Sequence, residues 1–330
     1  MNVLITGGGG FLGGQLAREI LSRAALAPAG GLKVAVDRVV LADFAFGRAT
    51  GEELGPRILR VKGDMGDSSF VDSLQTHSPR VVFHMAAMVS GDGERDFAGC
   101  WRSNVEGTRY LLEACRRSDP RTVVVFASSL AVFGGSEMPK VVSDRTKPLP
   151  QTTYGITKLV GELMINDYSR KGFIDGRAAR LPTIFIRPGN ANAAASSFAS
   201  GVFRVPLDGQ PFLLPVRFTQ GVPLLGYRRA VRNLVCLAEA PASALNDDRV
   251  VTMPSTRYEV GEMVAELTKV ASRRGIKLGS ISESPDEAVI RIVSAWPEGT
   301  QADAARALGM QTDSSVQEVI EDYITDFLHL

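Results

Sequence analysis

The chain has 330 residues, enough for one large domain or for a nucleotide-binding domain with a smaller lobe, and its 45% hydrophobic and 22% charged residues exclude disordered and fibrous classes. Its 37 lysines and arginines balance 36 aspartates and glutamates, so there is no electrostatic footprint for nucleic acid or an anionic membrane. No apolar stretch approaches the roughly 18 residues of a membrane-spanning helix, and the chain runs straight into an apolar strand without a signal-peptide pattern, so a cytoplasmic location is expected.

Residues 2–14, NVLITGGGGFLGG, read as a short strand, a turn with glycines at Gly7, Gly10 and Gly13, and the opening of a helix. Glycines so placed let a diphosphate approach the backbone where any Cβ would collide, and free N–H groups at the helix start bind the anion. Phe11, Leu12, Leu16, Ile20 and Leu21 recur at helical spacing and predict a helix over 11–26, followed by a Pro/Gly loop over 27–31. The apolar run 39–42 ends in Asp43. A carboxylate at that strand end accepts hydrogen bonds from both adenosine ribose hydroxyls and repels a 2′-phosphate, which favours NAD over NADP. An aspartate after a strand also suits an ordinary loop.

A third strand is predicted over 58–61, and Asp64 and Met65 follow Gly63 where an adenine ring would rest. Asp67 and Ser68 open the next helix as a cap. The fourth strand, 80–85, is nearly all apolar, as a parallel strand covered on both faces should be, and runs into Ala86 and Ala87. A helix over 100–117 carries Asn104, and a fifth strand over 122–127 leads into Ser128 and Ser129. A helix over 153–170 and a strand region over 177–186 follow. Beyond Pro188 the pattern loosens into GNANAAASSFASG, with later strands at 212–216 and 250–253 and helices at 227–239, 260–272, 286–294 and 316–328.

Strand alternates with helix throughout, which requires right-handed crossovers and places ligands at the carboxyl ends of the strands. The expected fold is α/β: a Rossmann-type doubly wound parallel sheet with a smaller C-terminal α/β substrate lobe. Residues 1–187 would form the NAD-binding domain and 188–330 mainly the substrate-binding cap lobe, with room for the chain to return to the first domain. Cys100, Cys115 and Cys236 are odd in number and far apart, which suits ordinary thiols in a reducing compartment. His77, His84 and His329 have no metal-ligand spacing, so no metal is expected.

Ser129 at a strand end, with Tyr154 and Lys158 one turn apart on the following helix, is the informative chemical set. A phenol with a pKa near ~10 is a poor base at neutral pH unless a positive charge stabilises the phenolate. Lys158 supplies one such charge and an oxidised nicotinamide another. Ser129 can then hold the substrate oxygen while Tyr154 takes its proton and hydride leaves the same carbon.

At this point the chain resembles the extended short-chain dehydrogenase/reductases, the NAD-dependent epimerase/dehydratase family. TGGGGFLG at 6–13, GDM at 63–65, HMAA at 84–87, NVEGT at 104–108, SSLAVFG at 128–134 and YGITK at 154–158 look like its successive motifs. The resemblance covers about residues 1–190. It implies catalysis by Ser129, Tyr154 and Lys158, and NAD contacts from Gly7, Gly10, Phe11, Leu12, Asp43, Asp64, Met65, Ala86, Asn104, Tyr154, Lys158 and the chain at Leu181. It also implies a homodimer through the helices bearing Asn104 and Tyr154.

Dehydratases of the family carry Thr-Asp-Glu after the serine, whereas Leu130, Ala131 and Val132 here are apolar. RLPTIFIRPGNANAAASSFASG at 180–201 is similar to a branch that oxidises a small sugar acid at C2 to the 2-oxo acid, with D-erythronate as the leading substrate. A carboxylate substrate needs a cation or several donors, and Ser90, Ser129, Arg187 and Asn190 are the candidates. Two rivals stay open: a nucleotide-sugar epimerase, for which Arg217, Arg228, Arg229 and Arg232 would clamp a diphosphate or simply form a solvated face, and a non-enzymatic NAD-binding redox sensor.

Overall fold

The computed structural model describes residues 1–47, 55–189 and 195–328. Its central sheet is built from β1 (Asn2–Thr6), β2 (Arg38–Asp43), β3 (Ile58–Lys62), β4 (Pro79–His84), β5 (Val123–Ser129) and β6 (Asp175–Leu181). A second, smaller sheet contains β7 (Thr183–Phe185), β8 (Gly221–Gly226) and β10 (Thr256–Glu259), while β9 (Val250–Thr252) returns to the first. The seven-stranded order is β9, β6, β5, β4, β1, β2, β3, with every neighbouring pair parallel.

Side chains alternate across this sheet with the two-residue period of a strand. Val3, Ile5, Val39, Leu41, Val81, Phe83, Val123 and Val125 pack in one core on one face. Leu4, Val40, Val82, Val124 and Phe126 pack in another on the opposite face. Both faces are therefore covered, which is why these strands read as continuous apolar runs rather than alternating ones.

The main helices are α1 (Phe11–Arg23), α2 (Gly107–Ser118), α3 (Thr153–Arg170), α4 (Phe198–Leu207), α5 (Tyr227–Glu239) and α6 (Glu287–Ser294). Helix α1 stops at Arg23, short of the expected 26, because Ala24 turns left-handed at φ 60° and residues 25–26 pair with 34–35 in a small hairpin. Ahead of α2, residues Arg102–Glu106 form a π-turn that contains Asn104.

The strand region expected over 177–186 divides in two. Proline has no N–H for the ladder, so pairing of β6 with β5 ends at Leu181 opposite Ser129. After Pro182 the chain swings away, and β7 pairs with β8 in the second sheet. A separate core of Phe185, Val202, Phe203, Leu224, Met263 and Tyr323 lies there.

The chain crosses back more than once after residue 187. Leu234, Leu237 and Ala238 of α5, with Val251 and Met253 around β9, belong to the first core rather than the second. Arg177 in β6 has no exposed side-chain surface and donates from Nη1 to the carbonyls of Leu237 at 3.0 Å and Ala240 at 2.7 Å, closing the carboxyl end of α5.

Candidate active site

The carboxyl ends of β1, β4, β5 and β6 open onto a cavity of about 400 Å³. Gly7, Gly10, Phe11, Leu12 and Gly13 form one side of it, and Ser90, Ser129, Tyr154, Lys158, Leu181 and Arg187 also line it. Gly7 sits at φ +71°, and a Cβ there would come within 2.7 Å of the Ala86 nitrogen. A Cβ on Gly10 would meet one protein atom, the Gly7 carbonyl at 3.3 Å, and otherwise stand in the cavity. Gly10 is also the N-cap of α1 without a side chain to satisfy the first-turn amides. The cradle therefore fits a diphosphate in the way the spacing predicts: open backbone beside unpaired N–H groups.

Catalytic geometry follows from how α3 meets β5. Thr152 caps α3 by accepting the Gly155 amide at 3.1 Å. Any Cβ on Gly155 would lie 2.1 Å from the Ala131 carbonyl, so the helix touches the chain just past Ser129. This seats Tyr154 in reach of Ser129. Burial drives the phenol up to about 12, with the hydrogen bond to Ser129 pulling the other way.

Lys158 is buried and donates to the Ala127 carbonyl at 2.7 Å, with its ammonium 4.8 Å from the Phe126 ring centroid and 5.7 Å from that of Tyr154. Burial lowers it to about 8. Desolvation thus dominates both groups in the protein alone. A further cation near the phenol is what would bring it down, and an oxidised nicotinamide supplies that charge when bound.

Beneath this pair lies a sealed ion pair. Arg180 donates to Glu162 from Nε at 3.0 Å and from Nη2 at 2.7 Å, and Ser128 donates to the same carboxylate at 2.5 Å. Glu162 and Arg180 are 2% and 5% exposed.

Other expected cofactor residues lie outside the cavity lining. Asp43 accepts from the Gly9 amide at 2.9 Å and the Ala45 amide at 3.2 Å, which binds the glycine turn to the end of β2. Asp64 accepts from the Gly66 amide at 2.8 Å and pairs with Arg102 at 2.6 Å. Met65 is buried in the core, and the Ala86 amide donates to Thr6 Oγ1 at 3.3 Å. Asn104 accepts the Met88 amide at 2.8 Å and donates to the Met88 carbonyl at 3.1 Å and Thr157 Oγ1 at 3.0 Å, so it ties the chain after β4 to α3. Asn190 lies outside the described residues.

His84 is a core residue between Thr6 Oγ1 at 2.6 Å and Thr108 Oγ1 at 2.9 Å, held neutral by burial and by Lys158. Three of the four basic residues considered as a diphosphate clamp have other partners. Arg228 pairs with Asp322 and Asp326 at 2.5 Å, Arg229 donates to Gln311, and Arg232 faces Glu19 at 3.6 Å. Arg217 lines a different cavity. What the sequence did not disclose is the remaining wall: Ser196 and Ser200, Pro223, and Ile292, Trp296 and Pro297 at the end of α6. A signal existed for Ser200 alone, which shares a face of α4 with Arg204 one turn later.

A glycine turn opening the first helix of a parallel sheet, with a serine, a tyrosine and a lysine meeting at the strand ends, defines a Rossmann-type short-chain dehydrogenase/reductase. The match to the NAD dependent epimerase/dehydratase family spans residues 3–251, and the chain belongs to that family. It is 42% identical over 326 residues to D-erythronate dehydrogenase of Cupriavidus necator, covering 99% of this chain and 98% of that protein. It is 37% identical over 324 residues to D-erythronate dehydrogenase of Haemophilus influenzae, covering 98% and 99%. The crystal structure described as a nucleoside-diphosphate-sugar epimerase from Agrobacterium tumefaciens superimposes with a TM-score of 0.89 at 36% identity, covering 100% of this chain and 95% of that one. The protein is an NAD-dependent oxidoreductase. Among the described residues no helix is long and apolar enough to cross a membrane.

Proposed function

We propose that the protein oxidises a small sugar acid at C2 to the 2-oxo acid, D-erythronate to 2-dehydro-D-erythronate, with Tyr154 as the base. The observation that carries this reading is the meeting of Ser129, Tyr154 and Lys158 in one cavity with the glycine turn, in a chain similar end to end to named D-erythronate dehydrogenases. NAD, held along Gly7, Gly10, Phe11 and Leu12, supplies the hydride acceptor. Ser129 holds the C2 hydroxyl. Tyr154, as the phenolate that Lys158 and an oxidised nicotinamide would stabilise, takes its proton. The apolar turn Leu130–Val132 offers no acid to expel water.

Purified protein given NAD and D-erythronate should produce the reduced cofactor, followed by its absorbance, and Tyr154→Phe should lower kcat by about 10³-fold. A variant with full turnover removes Tyr154 from the mechanism, and silence with all four-carbon sugar acids removes the substrate. The Agrobacterium structure favours a second reading, nucleotide-sugar epimerisation. That reaction would release no net reduced cofactor, and a UDP-sugar would raise the melting temperature. For assembly we propose a homodimer through the helical stretch 97–118 that bears Asn104 and through α3, which bears Tyr154, supported by Phe97 on the first and Ile156 and Leu163 on the second, which are 63%, 40% and 61% exposed. Sedimentation as a monomer would end that proposal.

A further inference from the structure

Arg187 lines the same cavity as Ser129, Tyr154 and Lys158, yet its surroundings are unlike theirs. The residue is half-buried, and α4 ties down its main chain on both sides. Its amide donates to Ser200 Oγ at 3.1 Å, and its carbonyl accepts from Arg204 Nη1 at 3.0 Å. Ser200 and Arg204 are four residues apart and so share one face of the helix. Arg204 is itself 6% exposed.

Among the described residues, the charge bearing on the Arg187 guanidinium is that of Arg204, another cation, and burial and this neighbour both hold Arg187 below its usual range. Arg204 also lines a second cavity beside Asp208, one turn further along α4, but Asp208 is exposed there and its charge is not among those bearing on Arg187. Two cations brought together inside a protein without an acid cost free energy, and an anion arriving beside them removes that cost. A guanidinium presents a planar fork that matches a carboxylate through two parallel hydrogen bonds.

We propose that Arg187, positioned by Ser200 and Arg204, binds the carboxylate of the substrate and makes the enzyme select hydroxy acids over neutral polyols. This rests on the sugar-acid reading given above and adds the group that enforces it. In a 2-hydroxy acid the carboxylate carbon is bonded to the carbon that carries the reacting hydroxyl. Fixing the carboxylate on Arg187 therefore fixes which hydroxyl is presented to Ser129 and Tyr154. Arg187 touches substrate in this scheme, whereas Arg204 acts through it as a positioning residue.

Binding to the complex with NADH, measured by calorimetry, separates this from turnover. Glycolate, D-glycerate, D-erythronate and the neutral tetrol erythritol are titrated into wild type, Arg187→Met, Arg187→Lys, Arg204→Met and Arg204→Lys. Arg187→Met should weaken the acids by about 30-fold or more, leave erythritol unchanged and keep the wild-type affinity for NADH, which reports an intact fold. Arg187→Lys should lose less, because charge remains while the fork is gone. Arg204→Met should weaken the same acids by a smaller factor, and Arg204→Lys should restore them. If another acid binds through Arg187 while D-erythronate does not, the anchor stands and the D-erythronate reading falls. The anchor is overturned if Arg187→Met binds NADH normally and the acids within about threefold of wild type, or if no acid binds wild type.

Discussion

Two arginines flank Pro182, Arg180 buried and Arg187 half-buried, and their environments are opposite. Arg180 lies under the catalytic floor, locked to Glu162 by two hydrogen bonds with Ser128 completing the carboxylate. Arg187 stands at the cavity wall with Arg204 as its charged neighbour. The first pair is satisfied within the fold and can only hold shape. The second has a cation as its charged neighbour among the described residues, and in the proposed scheme a substrate carboxylate is its counter-charge. Residue type is the same in both; what differs is whether the fold supplies the counter-charge.

The contrast breaks most visibly at Glu162. Glu162→Leu strands Arg180 in the interior and should destabilise the protein by about 3–5 kcal/mol, while Glu162→Leu with Arg180→Leu should recover much of that loss. Chemical denaturation of both variants measures it, and equal losses in the single and double variants would show that the pair is not the source. A smaller effect belongs to Lys158, held at about 8 in the folded protein against 10.5 ordinarily. The unfolded chain then binds this proton more tightly, so the cost is full below pH 8 and lifts as pH rises toward 10.5. Stability of wild type relative to Lys158→Met should therefore climb with pH across that window by on the order of 3 kcal/mol. Tyr154, raised to about 12, acts oppositely above pH 10, so the range from 8 to 10 isolates the lysine. The smallest change is expected at Arg187: Arg187→Met should leave stability within about 0.5 kcal/mol. A large loss there would make Arg187 a structural partner like Arg180.

The readable part of the molecule was the part governed by local rules. Helix α3 spans 153–170 as the sequence places it, with Thr152 capping its start. The strands of the central sheet appear as apolar runs because both their faces are covered. The region 177–186 reads as one strand on apolar content alone, and Pro182 divides it between two sheets. The roles of Asn104 and Asp43 are less local still. Both residues were expected to meet the cofactor, and each is found bonded to backbone amides of neighbouring segments. The cavity wall from Ser200, Pro223 and Trp296 draws on three distant segments, and no spacing in the sequence links them.

Arg177 carries a consequence for anyone wishing to isolate the dinucleotide-binding half. Its guanidinium is fully enclosed and is bonded to carbonyls contributed by residues 237 and 240, while β6 gives its outer edge to residues 250–252. A fragment ending at residue 187 would keep the Arg177–Asp175 ion pair, lose the carbonyl acceptors from residues 237 and 240, and bare a strand edge to other copies. The chain is not two interchangeable modules joined end to end; expressed separately, the amino-terminal piece should precipitate, and domain grafting at that junction should fail for the same reason.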